Sequence, residues 1–393
     1  MTISPRYRAA SCLLVLLAGF GFFRADCLAH AESAERLPPW MEGPFAEGYE
    51  ELAVETATAE EFVDTWPGDY GDTEFGGWRI TAEAIRLHRS TAEPQDILFV
   101  PAVALSDIVA LNVADLKFDF QNGPRIGLRH YLVGQCDIEM NYFGIDGWAS
   151  WAVRDGNPLI LFPPLSGPPP LGVTVSTRFA VDYGSDLYST EASLRRRCTP
   201  YLDLLAGLRW VQLNEAFRVV GADFSPLPIP RYATNIENSI YGFQIGAEAK
   251  ILGGGGFLGL DRLNHFPRRL GRPDLLLTGP LRIDGFIKAG VFANHATQES
   301  SGQGGILGTV VTASASDDQP AFIGEVGVTG VCRLGDHFTL RAGYQAMWIE
   351  GVALAPEQIP FTDVAPFGAG TADLRATGGL LFHGCHLGLE ARW

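Results

Sequence analysis

Alternation of apolar and polar residues with a period of two is the feature that most limits how this chain can fold. In the segment 241–251, YGFQIGAEAKI, every odd position is apolar and every even position is glycine or polar. This period predicts a β-strand, because successive side chains of a strand point to opposite faces. After residue 31 no apolar run reaches the roughly 18 to 20 residues of a membrane-spanning helix. The mature chain is therefore restricted to a water-soluble β-fold or a membrane β-barrel.

Strand length separates these two folds. Strands of soluble proteins commonly have about 5 to 6 residues, whereas strands that span an outer membrane need about 9 to 11. In the alternating segment 338–348, Phe338 and Trp348 lie on the apolar face, and their spacing corresponds to about 25 Å of height at ~3.3 Å per residue and ~40° tilt. This height matches the separation of two aromatic girdles. A secreted β-sandwich remains the alternative, since its strands also alternate.

The alternating segments predict an all-β chain that forms a transmembrane antiparallel β-barrel of about 12 strands. The predicted strands lie near 78–88, 113–120, 124–133, 136–144, 187–197, 201–213, 240–251, 281–294, 321–334, 337–349, 374–383 and 385–393. With the C-terminus in the periplasm, this count puts the tight turns near 198–200 and 335–336 outside, against the usual pattern. Treating 375–393 as one strand corrects the orientation but makes the count odd. One strand is therefore miscounted, and we expect the error in the proline-rich stretch 155–175, which we interpret as a loop.

Composition divides the chain into three segments. Residues 1–31 are predicted to be a signal peptide for Sec-dependent secretion, because two arginines precede an apolar run and Ala29-His30-Ala31 forms a small-residue cleavage site. Residues 32–74 contain 13 Asp or Glu and one Arg, which predicts an acidic periplasmic linker or short plug. Residues 75–393 are the predicted outer-membrane barrel. The four cysteines after residue 31 allow three disulfide connectivities, and the sequence does not select one.

One face of the predicted strands carries charged residues and is predicted to line the lumen. The candidates are Arg79, Glu83, Asp203, Arg209, Glu248, Lys250, Arg282, Asp284, Lys288, Glu325, Arg333 and Arg341. Together with Asp137, Glu139, Glu390 and Arg392 they make eight cations and eight anions. This balance gives no strong field of one sign, so we expect weak ion selectivity if the pore conducts.

The last alternating segment is predicted to be a signal for barrel assembly. In HLGLEARW the residues Leu389, Ala391 and Trp393 share the apolar face, and an aromatic residue ends the sequence. We expect this segment to be recognised by the barrel-assembly machinery.

Five segments carry a family resemblance. They are GLRHYL (127–132), YLDLLAGLRWVQLNE (201–215), IKAGVFAN (287–294), FTLRAGYQAMWIEGVALAPEQI (338–359) and the ending HLGLEARW. On these segments residues 75–393 resemble a bacterial β-barrel porin family, the seventh of that naming. The resemblance implies an outer-membrane barrel, and the word porin implies a channel.

No catalytic residues, cofactors or metal ligands are predicted. The most ligand-like cluster is His383-Gly-Cys385-His386, which we interpret as a turn because His386 would face opposite to Cys385 on a strand. The glycine run 253–256 lacks the lysine of a phosphate-binding loop. None of the common hydrolase motifs occurs in the barrel segment, so we expect no enzyme.

These observations predict a passive, porin-like channel for small hydrophilic solutes in the bacterial outer membrane. The alternative is a structural or surface-display barrel whose lumen is closed by salt bridges. The expected partners are outer-membrane lipid, the barrel-assembly machinery and small solutes. A nucleic-acid partner is not expected, because the net charge is −16 and phosphate binding needs clustered cations. The oligomeric state is not predicted.

Overall fold

A computed structural model describes residues 77–100, 108–132, 135–161, 175–221, 229, 231–252, 281–304, 309–364 and 370–393. All of these residues belong to one compact unit within Gly68–Trp393. The predicted signal peptide, the acidic segment 32–74 and the glycine run 253–256 lie outside the described residues. Among the described residues, no helix is long and apolar enough to cross a membrane.

The described part of the chain is built almost entirely from strands. They are β1 (Trp78–Arg89), β2 (Asp96–Val100), β3 (Ile108–Asn112), β4 (Gln121–Tyr131), β5 (Cys136–Leu161), β6 (Val175–Thr199), β7 (Leu202–Gly221), β8 (Arg231–Leu252), β9 (Leu281–Gly304), β10 (Thr309–Arg333), β11 (Phe338–Val352), β12 (Thr362–Asp363), β13 (Thr371–Ala372) and β14 (Gly378–Arg392). Several exceed 20 residues, which is about twice the length that spans an outer membrane.

Ten of these strands close into an antiparallel ring. Its order is β1-β4-β5-β6-β7-β8-β9-β10-β11-β14, and β14 pairs with β1 to complete it. At this last junction Trp78 and Trp393 exchange backbone hydrogen bonds of 3.0 and 3.1 Å. The predicted all-β antiparallel barrel is therefore confirmed. The ring in the described residues has ten strands, whereas the sequence predicted about twelve.

The first surplus strand is the one predicted at 113–120. Residues Val113–Asp115 form a short 3-10 turn instead, and the side chain of Asn112 accepts a hydrogen bond from the backbone N–H of Ala114. The Asp115 carboxylate accepts the backbone N–H of Asn112 in return. Such reciprocal capping stabilises a helical turn rather than a strand. After this turn Leu116 and Phe118 are buried in the core, whereas Phe120 is exposed.

The second surplus strand comes from dividing the last segment in two. The predicted strands 374–383 and 385–393 are one strand, β14. The predicted break fell at Gly384, which lies inside the strand, where any side chain would collide with the backbone carbonyl of Arg86 on β1. Glycine here permits close approach of two strands and does not mark a turn.

Removing both surplus strands gives the usual orientation of an outer-membrane barrel. The tight connections β4–β5, β6–β7 and β10–β11 lie at the end of the barrel where β1 begins and β14 finishes. The connection 253–280 joins β8 to β9 at this same end, and it lies outside the described residues. The proline-rich stretch 155–175 is only partly a loop, because residues 155–161 continue β5. We refer to the two ends as the turn end and the loop end.

An apolar belt surrounds the turn-end half of the barrel. Its outward side chains include Leu204, Leu208, Phe243, Ile245, Ile287, Val291, Val326, Val328, Phe338, Leu340, Leu387 and Leu389. At the upper border of this belt, Trp210 on β7 lies directly opposite Tyr241 on β8, as in an aromatic girdle. A closed barrel with an apolar belt and three tight turns at the end holding both ring termini is an outer-membrane protein.

Candidate functional site

Eleven of the twelve predicted lumen residues line one cavity of about 150 Å³ at the turn end. They are Arg79, Glu83, Asp203, Arg209, Glu248, Lys250, Arg282, Asp284, Lys288, Glu325 and Arg341. The twelfth, Arg333, is exposed at the turn-end rim, where its Nε donates to the carbonyl oxygen of Gly335 at 3.3 Å. The strands position these side chains because every second residue of a barrel strand faces the interior.

Arg195 on β6 is the centre of the densest ion-pair cluster in this cavity. Its guanidinium lies 2.7 Å from a carboxylate oxygen of Glu139, 2.5 Å from one of Glu248 and 3.6 Å from one of Asp203. These partners stand on β5, β8 and β7, so one arginine ties together four strands. Arg129 on β4 forms an ion pair with Asp137 at the edge of the cluster.

Other pairs cross the lumen between strands that are not neighbours. Arg209 on β7 lies 2.7 Å from Glu325 on β10, and Lys288 on β9 lies 2.5 Å from Glu191 on β6. In each case two strands intervene along the wall. Because both members of each pair are largely buried, these contacts fill the space that an open channel would leave to water.

Sequence reasoning missed several members of this network, including Arg125, Arg129, Glu191 and Arg195. The signal was present, because these residues occupy alternate positions opposite the apolar face of predicted strands. In the predicted strand 124–133, for example, Arg125 and Arg129 flank Gly127 on the polar face. Applying the alternation to every predicted strand would have identified them.

The interior changes from charged to apolar in the loop-end half of the barrel. On β7 the inward residues are Asp203 and Arg209 at the turn end, but Val211, Leu213 and Phe217 further along. The outward residues change in the opposite sense, from Leu204 and Leu208 before Trp210 to Gln212, Asn214 and Arg218 beyond it. The outward faces of β8, β9 and β10 become polar at the same level, while the inward face of β9 keeps Asn294, Gln298 and Ser300 buried among apolar neighbours. The loop-end half therefore has a dry core and a hydrated outer wall.

The connection between β11 and β14 fills this dry core. Gly351 adopts a φ of 82° at the end of β11, a conformation that glycine reaches without strain. The chain then enters the barrel interior, where residues 353–355 and Ile359 are at most 1% exposed. We call residues 353–364 the plug, and it includes a short 3-10 turn, Pro356–Phe361.

Buried polar side chains of the wall hold the plug in place. Asn238 accepts the backbone N–H of Ala353 at 2.8 Å and donates to the carbonyl oxygen of the same residue at 2.9 Å. Gln298 donates to the hydroxyl of Thr362 at 2.7 Å. Since a plug inside the barrel cannot pair with water, these side chains satisfy backbone and hydroxyl groups that would otherwise be buried without partners.

A buried ion pair supports the same plug. Arg89 on β1 lies 2.6 Å from Glu215 on β7, and neither side chain is exposed. Tyr183 accepts a hydrogen bond from Arg89 at 2.7 Å and donates one to Glu215 at 2.8 Å. Glu215 also accepts the backbone N–H of Ala355 at 2.8 Å. One carboxylate on β7 therefore links β1, β6 and the plug.

The plug carries one carboxyl group with a strongly shifted pKa. Burial raises the pKa of Glu357 to about 7, and the charges of Glu215 and Glu93 act in the same direction. A backbone N–H donated by Glu93 and the charge of Arg89 oppose the shift. The folded state therefore favours the protonated form.

This shift predicts that the plug loosens as the pH rises. Because the pKa of Glu357 is higher in the folded state than the ordinary value of 4.5, the stability present below pH 4.5 is lost progressively up to about pH 7. Glu357→Gln should remove this loss and stabilise the barrel at pH 8 by about 1 to 3 kcal/mol. Urea unfolding of both proteins at pH 5 and pH 8 measures it. Equal pH dependence in the two proteins would contradict the role of Glu357.

The ligand-like cluster near the C-terminus does not converge. His383 and Cys385 face outward and His386 faces inward on the continuous strand β14, so the predicted turn is wrong. Within the described residues, no group of three or more His, Cys, Asp or Glu side chains is arranged to hold a metal ion. The four cysteines in the described residues are unpaired.

Comparisons with known proteins give only distant similarities. No family model and no curated protein matches the chain, so the porin-family resemblance stays a prediction. Among solved structures, the outer-membrane protease OmpT of Escherichia coli is 8% identical over 81% of this chain and 97% of its own, with a TM-score of 0.38. The translocator domain of the autotransporter NalP of Neisseria meningitidis is 8% identical over 82% and 91%, with a TM-score of 0.35. A Pseudomonas aeruginosa FadL homologue is 11% identical over 81% and 90%, with a TM-score of 0.29. Alignments at this level carry no argument about activity.

Proposed function

We propose that this protein is a closed outer-membrane barrel that serves as a structural or surface-display platform. The observation that carries the proposal is the plug, whose residues 353–355 lie inside the barrel with no exposure. The sequence analysis gave this closed form as the alternative, with a lumen closed by salt bridges. The plug is a second barrier, and the sequence did not predict it.

Two barriers stand in series along the lumen. At the turn end, the pairs Arg209–Glu325 and Lys288–Glu191 cross the interior. At the loop end, the plug packs among buried side chains such as Ile236, Phe292 and Leu380. A solute passing through would have to break buried ion pairs and then enter an apolar core, and both steps cost several kcal/mol.

The length of the strands supports a display role. With 25 residues, β10 is about 60 Å tall at ~3.3 Å per residue and ~40° tilt, against an apolar band of about 25 Å. Most of its outward residues beyond the belt are polar, including Thr312, Ser314 and Asp318. The barrel therefore extends well beyond the membrane on the loop side, as a rigid wall with a solid core.

Planar-bilayer recordings test the closed lumen. We expect the wild-type protein to give no stable conductance steps in molar potassium chloride. Leu354→Asp places a charge in the apolar core and should expel the plug, while Arg209→Ser removes one pair across the lumen. Each single variant should stay closed because the other barrier remains, and the double variant should conduct. Heat-modifiable migration on gels confirms that each barrel is folded.

The recordings also decide on the second candidate, a passive channel for small hydrophilic solutes. The charge-balanced cavity of about 150 Å³ at the turn end favours it. Stable wild-type steps with weak ion selectivity, measured as reversal potentials in a salt gradient, would support the channel and overturn the closed platform.

A further inference from the structure

Four polar residues form a straight row across the outer wall of the barrel. Gln212 on β7 lies directly opposite Ser239 on β8, Ser239 lies opposite His295 on β9, and His295 lies opposite Asp318 on β10. Their chain neighbours Val211, Leu213, Asn238, Ile240, Asn294 and Ala296 are buried inside the barrel. The four side chains therefore share the outer face. Directly opposed residues have Cβ atoms about 4.5 to 5.5 Å apart, which is within reach of side-chain contact.

The imidazole of His295 is oriented by a carboxylate. Its Nδ1 lies 2.8 Å from Oδ1 of Asp318, a contact that favours the tautomer with the proton on Nδ1 and the lone pair on Nε2. The side chains are 48% and 80% exposed. A contact this exposed adds little to the stability of a protein, but it leaves Nε2 accessible to a reacting molecule.

The strand register places Ser239 and Gln212 where acyl transfer would need a nucleophile and a donor to the oxyanion. A serine hydroxyl beside a histidine that is itself held by a carboxylate is the arrangement that activates a serine nucleophile. On the other side of Ser239 the side-chain amide of Gln212 donates to Glu237 at 3.0 Å and to Asn214 at 3.3 Å. An amide N–H at this place can turn toward a negatively charged oxygen that develops next to the serine.

The height of the row indicates the kind of substrate. Trp210 on β7 and Tyr241 on β8 lie two residues from the row, toward the turn end and on the same outward face. They mark the upper border of the apolar belt. The row therefore lies at the membrane–water interface on the loop side, where aromatic girdles meet the polar parts of lipids. Lipid acyl esters are held at this depth, between the headgroups and the chains.

We propose that Ser239, His295 and Asp318 form a catalytic triad that hydrolyses acyl esters of lipids at the outer-membrane surface. Ser239 Oγ forms a bond to the ester carbonyl carbon while its proton moves to His295 Nε2. The C–O bond to the alcohol then breaks, and the leaving alcohol takes this proton. Water next attacks the acyl-serine with His295 as base, which releases the carboxylic acid and restores the serine. The net reaction is ester plus water to acid plus alcohol.

This activity goes beyond the proposed platform, because it resides on the outer wall and is independent of whether the lumen is closed. It also departs from the expectation of no enzyme. That expectation rested on local motifs such as Gly-x-Ser-x-Gly, whereas the register of three strands brings these residues together across 80 positions of the sequence.

The full-length barrel folded in detergent micelles tests the triad with three probes. These are p-nitrophenyl laurate, vesicles of diacylphosphatidylethanolamine and a fluorophosphonate that labels activated serines. We expect turnover of at least one ester and covalent labelling of Ser239, located by peptide mass. Ser239→Ala and His295→Ala should each lower turnover by ~10²-fold or more. Ser316→Ala, which changes another outward serine two residues from Asp318, should leave it unchanged.

Asp318→Asn adds a readout that distinguishes a triad from a lone nucleophile. It should lower turnover while leaving Ser239 in place, because the imidazole loses the carboxylate that orients it. Heat-modifiable migration shows that each variant is folded. Absence of turnover with both esters, absence of label on Ser239, or turnover that persists in Ser239→Ala would each overturn the proposal.

Discussion

Replacing Glu215 by leucine should lower the free energy of unfolding of the barrel by about 3 to 5 kcal/mol. The variant leaves the Arg89 guanidinium, which is fully buried, without the carboxylate that lies 2.6 Å away. It also removes the acceptor for the backbone N–H of Ala355 in the plug. An uncompensated buried charge costs far more than the pair contributes when both members are present. Urea titration of the refolded protein in micelles, followed by tryptophan fluorescence, measures the loss.

The matched control is the double variant Arg89→Met/Glu215→Leu. Removing both charges leaves two apolar side chains in an apolar core, so most of the lost stability should return. The plug should nevertheless stay looser than in the wild type, because Ala355 still lacks its acceptor. If the double variant is less stable than Glu215→Leu alone, the charge of Arg89 is not the cause of the loss.

The sequence predicts the turn-end half of each strand better than the loop-end half. The predicted strand 201–213 ends where the inward residues of β7 become apolar. The predicted strands 240–251 and 321–334 begin at the level where the faces of β8 and β10 exchange polarity. The alternation continues beyond these points, but its faces exchange polarity. Assigning the apolar face to lipid is correct within the membrane and wrong above it, so the loop-end halves of the strands were missed.

The lumen shows a similar division between local and long-range information. That Arg209 and Glu325 face the interior follows from alternation within their own strands. That they meet at 2.7 Å follows only from the closure of the ring, which brings β7 and β10 to opposite sides of a narrow lumen. The plug was not predicted at all, because its residues 353–364 have the composition of an ordinary connection, and what buries them is the dry core of other strands.

Ala342→Arg should make folding into lipid less favourable by about 2 to 4 kcal/mol. Ala342 is exposed on the outward face of β11, midway between Phe338 and Trp348, so an arginine there must place its charge near the middle of the apolar belt.

The control for this prediction lies on the same outer wall at a different height. Ser314 on β10 is also outward and exposed, but it stands beyond the belt opposite Glu299. Ser314→Arg should therefore change stability by no more than about 0.5 kcal/mol. Equilibrium folding of both variants into phospholipid vesicles gives the two values directly. Similar losses of folding stability at the two positions would mean that the polarity reversal at Trp210 is not a membrane boundary. The polar outer wall beyond Trp210 would then belong to the lipid-covered part of the barrel.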